Sequence, residues 1–213
     1  INLANLGADF NVVGNEPISS FGEGRAYGAE FLIQRRSKSG LYGIVSYTLA
    51  WSQFKDKNGE YVASSWDSRH TVSLTAGKKL PKNWEIGAKW RLVTGRPYTP
   101  DDVQRSLLIT NWDVRGIALP NYNLINSQRL SDFNQFDIRV DKVWYKKKWS
   151  LNLYLDIQNF FNAKYFGPET LIAAQDANGQ PIVDPNNTNS YLQDSIPNET
   201  GTVLPTIGII LDF

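Results

Sequence analysis

Residues 133–160, FNQFDIRVDKVWYKKKWSLNLYLDIQNF, alternate apolar and polar side chains along two arms. Phe136, Ile138, Val140 and Trp144 point one way, and Asp137, Arg139 and Asp141 the other. On the return arm Trp149, Leu151, Leu153, Leu155 and Ile157 share a face, and Ser150, Asn152, Tyr154, Asp156 and Gln158 share the opposite one. A period of two over this length dictates strands, because successive Cβ atoms of a helix do not alternate. Tyr145–Lys148 reads as the connection. It is expected to pair Trp144 with Trp149, Val140 with Leu153 and Ile138 with Leu155, so that the two apolar faces coincide. Such a hairpin suits either a protein core or lipid on its apolar side.

The same period places five more strands, at about 25–35, 41–54, 69–78, 84–94 and 204–213. Residues 1–24 read as a loop with two short apolar pieces, Ile1–Leu6 and Phe10–Val13. Residues 95–132 and 161–203 read as very long loops, with a short turn of helix expected over 101–110. No helical period of useful length appears. The connections alternate short and long. The short ones carry Arg35, Arg36, Lys38, Lys78, Lys79, Lys82, Lys146, Lys147 and Lys148 and no acid. The last long loop carries Glu169, Asp176, Asp184, Asp194 and Glu199 against Lys164. Antiparallel strands put alternate connections at opposite ends. One end therefore has tight basic turns and the other large polar loops, the arrangement of a transmembrane barrel.

The aromatic residues follow the same division. Trp84, Trp144 and Trp149 stand beside short turns, and Tyr27, Tyr47 and Trp51 lie nearer the long loops. Two aromatic bands around an aliphatic middle suit two lipid–water interfaces. A β-sandwich with aromatic rims is the competing reading. The expected fold class is all-β, an antiparallel transmembrane β-barrel, here about seven strands of a larger one.

Composition removes other classes. Charge is nearly balanced, 22 Lys+Arg against 21 Asp+Glu, which does not suit nucleic-acid binding. Cys is absent, so thiolate nucleophiles, thiolate metal sites and disulfides are excluded. Met is absent even at position 1, as expected of an internal or processed piece, and Ile1–Val13 lacks the basic start of a signal peptide. No apolar run approaches the ~18 residues of a membrane helix, but barrel strands need none.

His70, beside Asp67 and Arg69, has no accompanying nucleophile or ligand set and reads as a hydrogen-bonded rim residue. Asp176-Ala177-Asn178-Gly179 matches the start of a calcium loop but lacks the later ligands, and reads as a turn. Gly22-Glu23-Gly24 lacks the strand-to-helix context of a phosphate loop. No catalytic residue, metal site or cofactor is expected. The row Glu85, Lys89, Arg91, Asp137, Arg139, Asp141 and Asp156 is expected to face a lumen, paired and hydrated. Tyr98, Trp112, Tyr122, Tyr165 and Tyr191 are the substrate-contact candidates, with ordinary loop packing as the alternative for each.

Several pieces, in order, resemble the C-terminal part of the barrel of TonB-dependent outer-membrane receptors. They are Gly24-Arg25-Ala26-Tyr27-Gly28-Ala29-Glu30, Tyr47-Thr48, Asp67-Ser68-Arg69-His70, Gly95-Arg96-Pro97-Tyr98-Thr99-Pro100, Asp137-Ile138-Arg139-Val140-Asp141-Lys142, Asn159-Phe160-Phe161-Asn162 and Ile207–Phe213. They span essentially the whole chain, 1–213. The resemblance implies a barrel of about 22 strands around a plug. The plug and the TonB-contacting segment have no counterpart in these residues. It also implies active import of a scarce nutrient (a metal chelate, glycan or peptide) across a Gram-negative outer membrane, without covalent chemistry. Ile207, Ile209, Leu211 and Phe213 would form the barrel-assembly signal. The implied partners are outer-membrane lipid, the remaining strands and plug, the TonB complex, and a surface lipoprotein. A lectin-like extracellular sandwich and an outer-membrane adhesin or enzyme barrel are the other readings.

Overall fold

The computed structural model describes residues 22–213. The apolar pieces Ile1–Leu6 and Phe10–Val13, and all but the end of the expected loop 1–24, lie outside the described residues. Seven long antiparallel strands form one sheet in chain order: β1 (Gly24–Arg36), β2 (Leu41–Lys55), β3 (His70–Leu80), β4 (Trp84–Val93), β5 (Phe133–Tyr145), β6 (Ser150–Gln158) and β7 (Leu204–Asp212). A short eighth strand, Tyr61–Ala63, pairs with the end of β2. The expected strands are therefore present, shifted by a residue or two at their ends. The fold is all-β and antiparallel. The sheet is open, with β1 and β7 as its edges.

Cross-strand pairing sorts the side chains by chemistry. One row across the sheet reads Leu41, Lys78, Ile86, Val140, Leu155 and Ile207. A row on the opposite face reads Tyr42, Gly77, Gly87, Arg139, Asp156 and Thr206. The apolar face is open to its surroundings: Phe31 is 62% exposed, Ile207 75% and Ile209 66%. Leu211 on the same face and Phe213 beyond it are exposed as well. Among the described residues the buried hydrophobic ones are Phe54, Leu107, Leu171 and Ala173. None of the described elements forms a second layer over this face.

The polar face is tied together across strands. Arg139 grips Asp141 with both Nε and an Nη, at 2.9 and 2.8 Å, and Asn152 donates to the same carboxylate at 3.0 Å. Arg91 pairs with Asp137 at 3.3 Å, and Gln135 donates to Asp137 at 2.7 Å. Two tyrosines lie flat against glycines of neighbouring strands. The Tyr42 ring covers Gly77 and its hydroxyl donates to Glu85 at 2.7 Å. The Tyr154 ring covers Gly208, with the Arg139 guanidinium 3.9 Å above the ring centre. A ring over a strand glycine restores packing that a missing side chain forfeits.

The hairpin register differs from the expected one by two residues. Tyr145 pairs with Ser150, and Lys146–Trp149 is the connection, closed by the Lys146 amide donating to the Trp149 carbonyl at 2.9 Å. Trp144 therefore faces Leu151, not Trp149, and Val140 faces Leu155, not Leu153. A slip of two leaves every side chain on its face, so periodicity alone accommodates both registers. Charge separates them. The expected register sets Asp137 opposite Asp156, whereas the observed one sets Arg139 opposite Asp156. Like charges directly opposite destabilise a sheet, and opposite charges stabilise it.

A β-branched side chain at Gly208 has no room beneath the Tyr154 ring. Gly208→Val is expected to displace Tyr154 from Arg139 and to cost about 1–3 kcal/mol, as overpacking does. Denaturant unfolding of the variant beside Thr206→Val, a neighbour on the same face, checks this.

Candidate functional site

The three short connections, 37–40, 81–83 and 146–149, lie at one end of the sheet and the three long ones at the other. The long connections are not irregular. The first, 56–69, turns at Asp56-Lys57-Asn58-Gly59, where Asp56 Oδ1 accepts the amides of Asn58 and Glu60 at 2.8 and 3.0 Å. It then returns through Tyr61–Ala63 along β2. The second, between β4 and β5, closes at its base by pairing Pro97–Tyr98 with Gln128–Arg129. At its tip are two short helices, α1 (Val103–Ser106) and α2 (Ile109–Arg115). Asp102 caps the first by accepting the Arg105 amide at 3.1 Å. The third is a folded arm: Tyr165–Phe166 pairs with Glu199–Thr200, Thr170–Ala173 with Gln193–Ile196, and Val183–Asp184 with Asn187–Tyr191. Asp176 closes a turn in it by accepting the amides of Asn178 and Gln180, both at 2.8 Å. Those backbone donors hold its carboxyl below the usual range. Among the described residues no three His, Cys, Asp or Glu side chains cluster as metal ligands.

The second and third connections share a small core of Leu107, Leu171 and Ala173, flanked by Val103, Trp112, Ala118 and Tyr191. The Tyr191 amide donates to the Leu107 carbonyl at 2.8 Å, and its hydroxyl donates to Asp113 at 2.8 Å. That hydrogen bond to a carboxylate raises the Tyr191 hydroxyl pKa.

Asp67 staples the first and second connections. Its side chain is fully buried and accepts from the Ser52 amide at 3.0 Å, from Arg129 at 2.6 Å and from Arg69 at 3.2 Å. Arg129 also donates to the carbonyls of Asp67 and Gly95, at 2.7 and 2.9 Å. Nearby, Asn126 reaches the Ala63 carbonyl at 2.9 Å. Gly95 packs so closely on the Leu130 carbonyl that no Cβ fits there. Burial alone pushes the Asp67 carboxyl up. The Arg129 and Ser52 hydrogen bonds and the charges of Arg69 and Arg129 outweigh burial and hold it below its ordinary value.

Between these connections lies a cavity of about 860 Å³, whose lining includes Trp66, Arg96, Tyr98, Tyr122, Asn126 and Glu169. Trp66 and Tyr122 are substantially exposed. Tyr98 is fixed by donating to Gln128 at 2.6 Å, and Glu169 by accepting from Ser195 at 2.7 Å. Asp101 also lines the cavity, and burial pushes its carboxyl up. Aromatic faces beside amides, hydroxyls and single charges suit capture of a polar solute with some apolar surface.

Of the five aromatic candidates, Tyr98 and Tyr122 line the cavity. Trp112 and Tyr191 pack on the shared loop core. Tyr165 lies in a short strand with its ring edge-on to Phe133, 6.4 Å between centres. None of Trp66, Arg96, Asn126 and Glu169 is among the substrate-contact candidates of the sequence, where Glu169 figures only as a loop acid and Arg96 only within the Gly95–Pro100 motif. They are isolated residues in aperiodic segments, and only the folding of the connections brings them together. His70 is on the apolar face, stacked on Tyr47, with Nδ1 2.9 Å from the Tyr47 hydroxyl. Tyr27 and Trp51 stack beside it across β1 and β2, 5.3 Å between ring centres. Trp84, Trp144 and Trp149 are exposed at the opposite end.

A scan of protein-family models finds none that matches this chain, and a search of curated proteins finds no relative.

Asp67→Asn removes the charge that two arginines share. The cost is expected to be about 2–3 kcal/mol, below that of a fully buried pair because Arg129 is more than a third exposed. Cleavage of the 95–132 segment by protease should quicken while the sheet stays protected. The same staple sets a pH dependence. The Asp67 carboxyl sits below its unfolded value, so its contribution is complete above about pH 4 and is lost as pH falls through the folded value. Protease sensitivity of this segment should therefore rise on acidification in the native protein, and rise less in the Asn variant.

Proposed function

We propose that this chain is part of the wall and mouth of an outer-membrane β-barrel that imports a scarce nutrient, in the manner of TonB-dependent receptors. One observation carries the reading: a seven-stranded sheet exposes an aliphatic face while its other face holds paired charges. Water on both sides leaves the first face unexplained. Lipid outside and an aqueous lumen inside account for both.

Three further features support it. Connection length and charge separate by end, with tight basic turns opposite large folded loops. Exposed aromatic residues gather at the two ends of the apolar face. Among the described residues no strand pairs with the outer sides of β1 and β7, and in lipid such edges require neighbouring strands; the rest of the barrel supplies them in this reading. The charged face then lines the lumen and meets a plug, and the loop-end cavity takes the first contact with substrate. The reading assigns transport and no covalent chemistry. Energy coupling through the TonB complex belongs to parts outside this chain. A lectin-like sandwich needs a second sheet over the apolar face, and the described residues place their remaining mass at the loop end instead.

Arginine at Leu155, centred on the apolar face, is expected to cost about 2–4 kcal/mol in a bilayer. Thr48→Arg, on the polar face opposite Glu30, should cost less than about 1 kcal/mol. Folded yield of the full-length protein in liposomes reports both, and equal losses would remove the face assignment. For transport, the full-length protein should fractionate with the outer membrane, and its deletion should abolish uptake of one nutrient. Tyr122→Ala should weaken uptake of that nutrient about tenfold at limiting concentration, the loss of one aromatic contact. A soluble, monomeric full-length protein would overturn the reading.

A further inference from the structure

Lys142 breaks the apolar face of β5 at its short-turn end. Its neighbours across the ladder are Trp84 and Leu153, so the ammonium emerges among apolar side chains. Trp84 and Trp144 hold it from two sides, with ring centres 5.3 and 5.5 Å from Nζ. Nζ also donates to the Lys82 carbonyl. That carbonyl is brought over by two successive left-handed residues, Lys82 and Asn83, with φ of 61° and 59°. An ammonium has three N–H groups, and among the described residues this carbonyl is its one hydrogen-bond acceptor.

Among the described residues no acid answers this charge on the same face. Glu85 accepts from Tyr42, Asp141 from Arg139 and Asn152, and Asp212 from Ser150, and all three acids are on the polar face. More cations surround the site. Lys78 is exposed on the apolar face, between Leu41 and Ile86, and Lys82, Lys146, Lys147 and Lys148 are exposed in the turns.

We propose that Lys142, clamped between Trp84 and Trp144 and assisted by Lys78, binds the phosphate of an anionic phospholipid headgroup at the short-turn end. The inference rests on the membrane-wall reading above. The clamp supplies what a lipid site needs at one level: indole rings for the headgroup–acyl boundary, aliphatic side chains for the chains, and ammonium groups for the phosphate. A lysine that merely reaches for water needs neither the two rings nor the carbonyl that fixes its head. Free phosphate carries the same charge but gains nothing from Leu153 and Ile86.

The test uses the full-length protein in nanodiscs of phosphatidylcholine with and without phosphatidylglycerol. Nondenaturing mass spectrometry then counts the phosphatidylglycerol retained. Retention by the native protein is expected to exceed that of the Lys78→Gln/Lys142→Gln variant about tenfold, through two lost charge-assisted contacts. It should weaken with added salt. Lys57→Gln, at the opposite end, should retain lipid as the native protein does. Equal retention by native protein and double variant would overturn the lipid site while leaving the wall reading intact. Displacement of the lipid by millimolar inorganic phosphate would assign the lysines to a free anion instead, and also overturns it. Failure of the native protein to enter nanodiscs would remove both readings together.

Discussion

The sheet stands on a ladder whose two faces carry opposite chemistry. Backbone pairing fixes seven strands side by side, and the period of two then commits each side chain to one face. Aliphatic and aromatic residues gather on one side, and Arg91, Asp137, Arg139 and Asp141 on the other. The rest of the sheet follows from keeping that separation. Glycines 77 and 208 lie where tyrosines of neighbouring strands must lie flat. Arg139 faces Asp156 and grips Asp141, so the polar face carries charges in compensating pairs. With so few buried hydrophobic side chains among the described residues, the sheet gains little from an interior of its own. Its stability depends on backbone pairing, on the ion pairs of one face and on whatever solvates the other.

At the loop end a different interaction takes over. Asp67 is buried where a long connection re-enters the sheet, and Arg129 reaches it from another connection. One carboxylate thereby organises the base of the second loop and aligns the Pro97–Tyr98 strand with Gln128–Arg129. From that base the helices project far enough for Leu107 to meet Leu171 and Ala173 of the third connection. The cavity exists because these loops lean on one another. The cavity is lined from all three long connections, so loop sequence can vary its chemistry without disturbing the sheet.

Several motifs quoted for the family resemblance have plain structural jobs. Asp67 and Arg69 belong to the staple. Gly95 permits the close approach to Leu130. Asn159 closes β6, its amide donating to Asp137 at 2.9 Å and its side chain bonding the backbone of Ala163. Phe161 packs on Phe136, 5.2 Å between ring centres, and continues the apolar face past the strand end. Each such residue acts at a strand end or loop base, Gly95 and Asn159 through backbone geometry and the others through their side chains. These motifs therefore mark how the sheet and its connections are built.

Strand positions, the two faces and the sorting of connections by length and charge are all local properties, and the sequence by itself determined them. A strand's periodicity is complete within about ten residues and needs no partner to be read. The tertiary structure alone decided the hairpin register, because a slip of two residues preserves every face and only the opposition of Asp137, Arg139 and Asp156 distinguishes the choices. It alone decided the staple, since Arg129 and Asp67 are 62 residues apart and neither has a periodic context. It also decided which loop aromatics meet open space. Trp112 and Tyr191 have the same chemistry as Tyr98 and Tyr122, but the folding of the long connections turned the first pair into a core and the second toward the cavity.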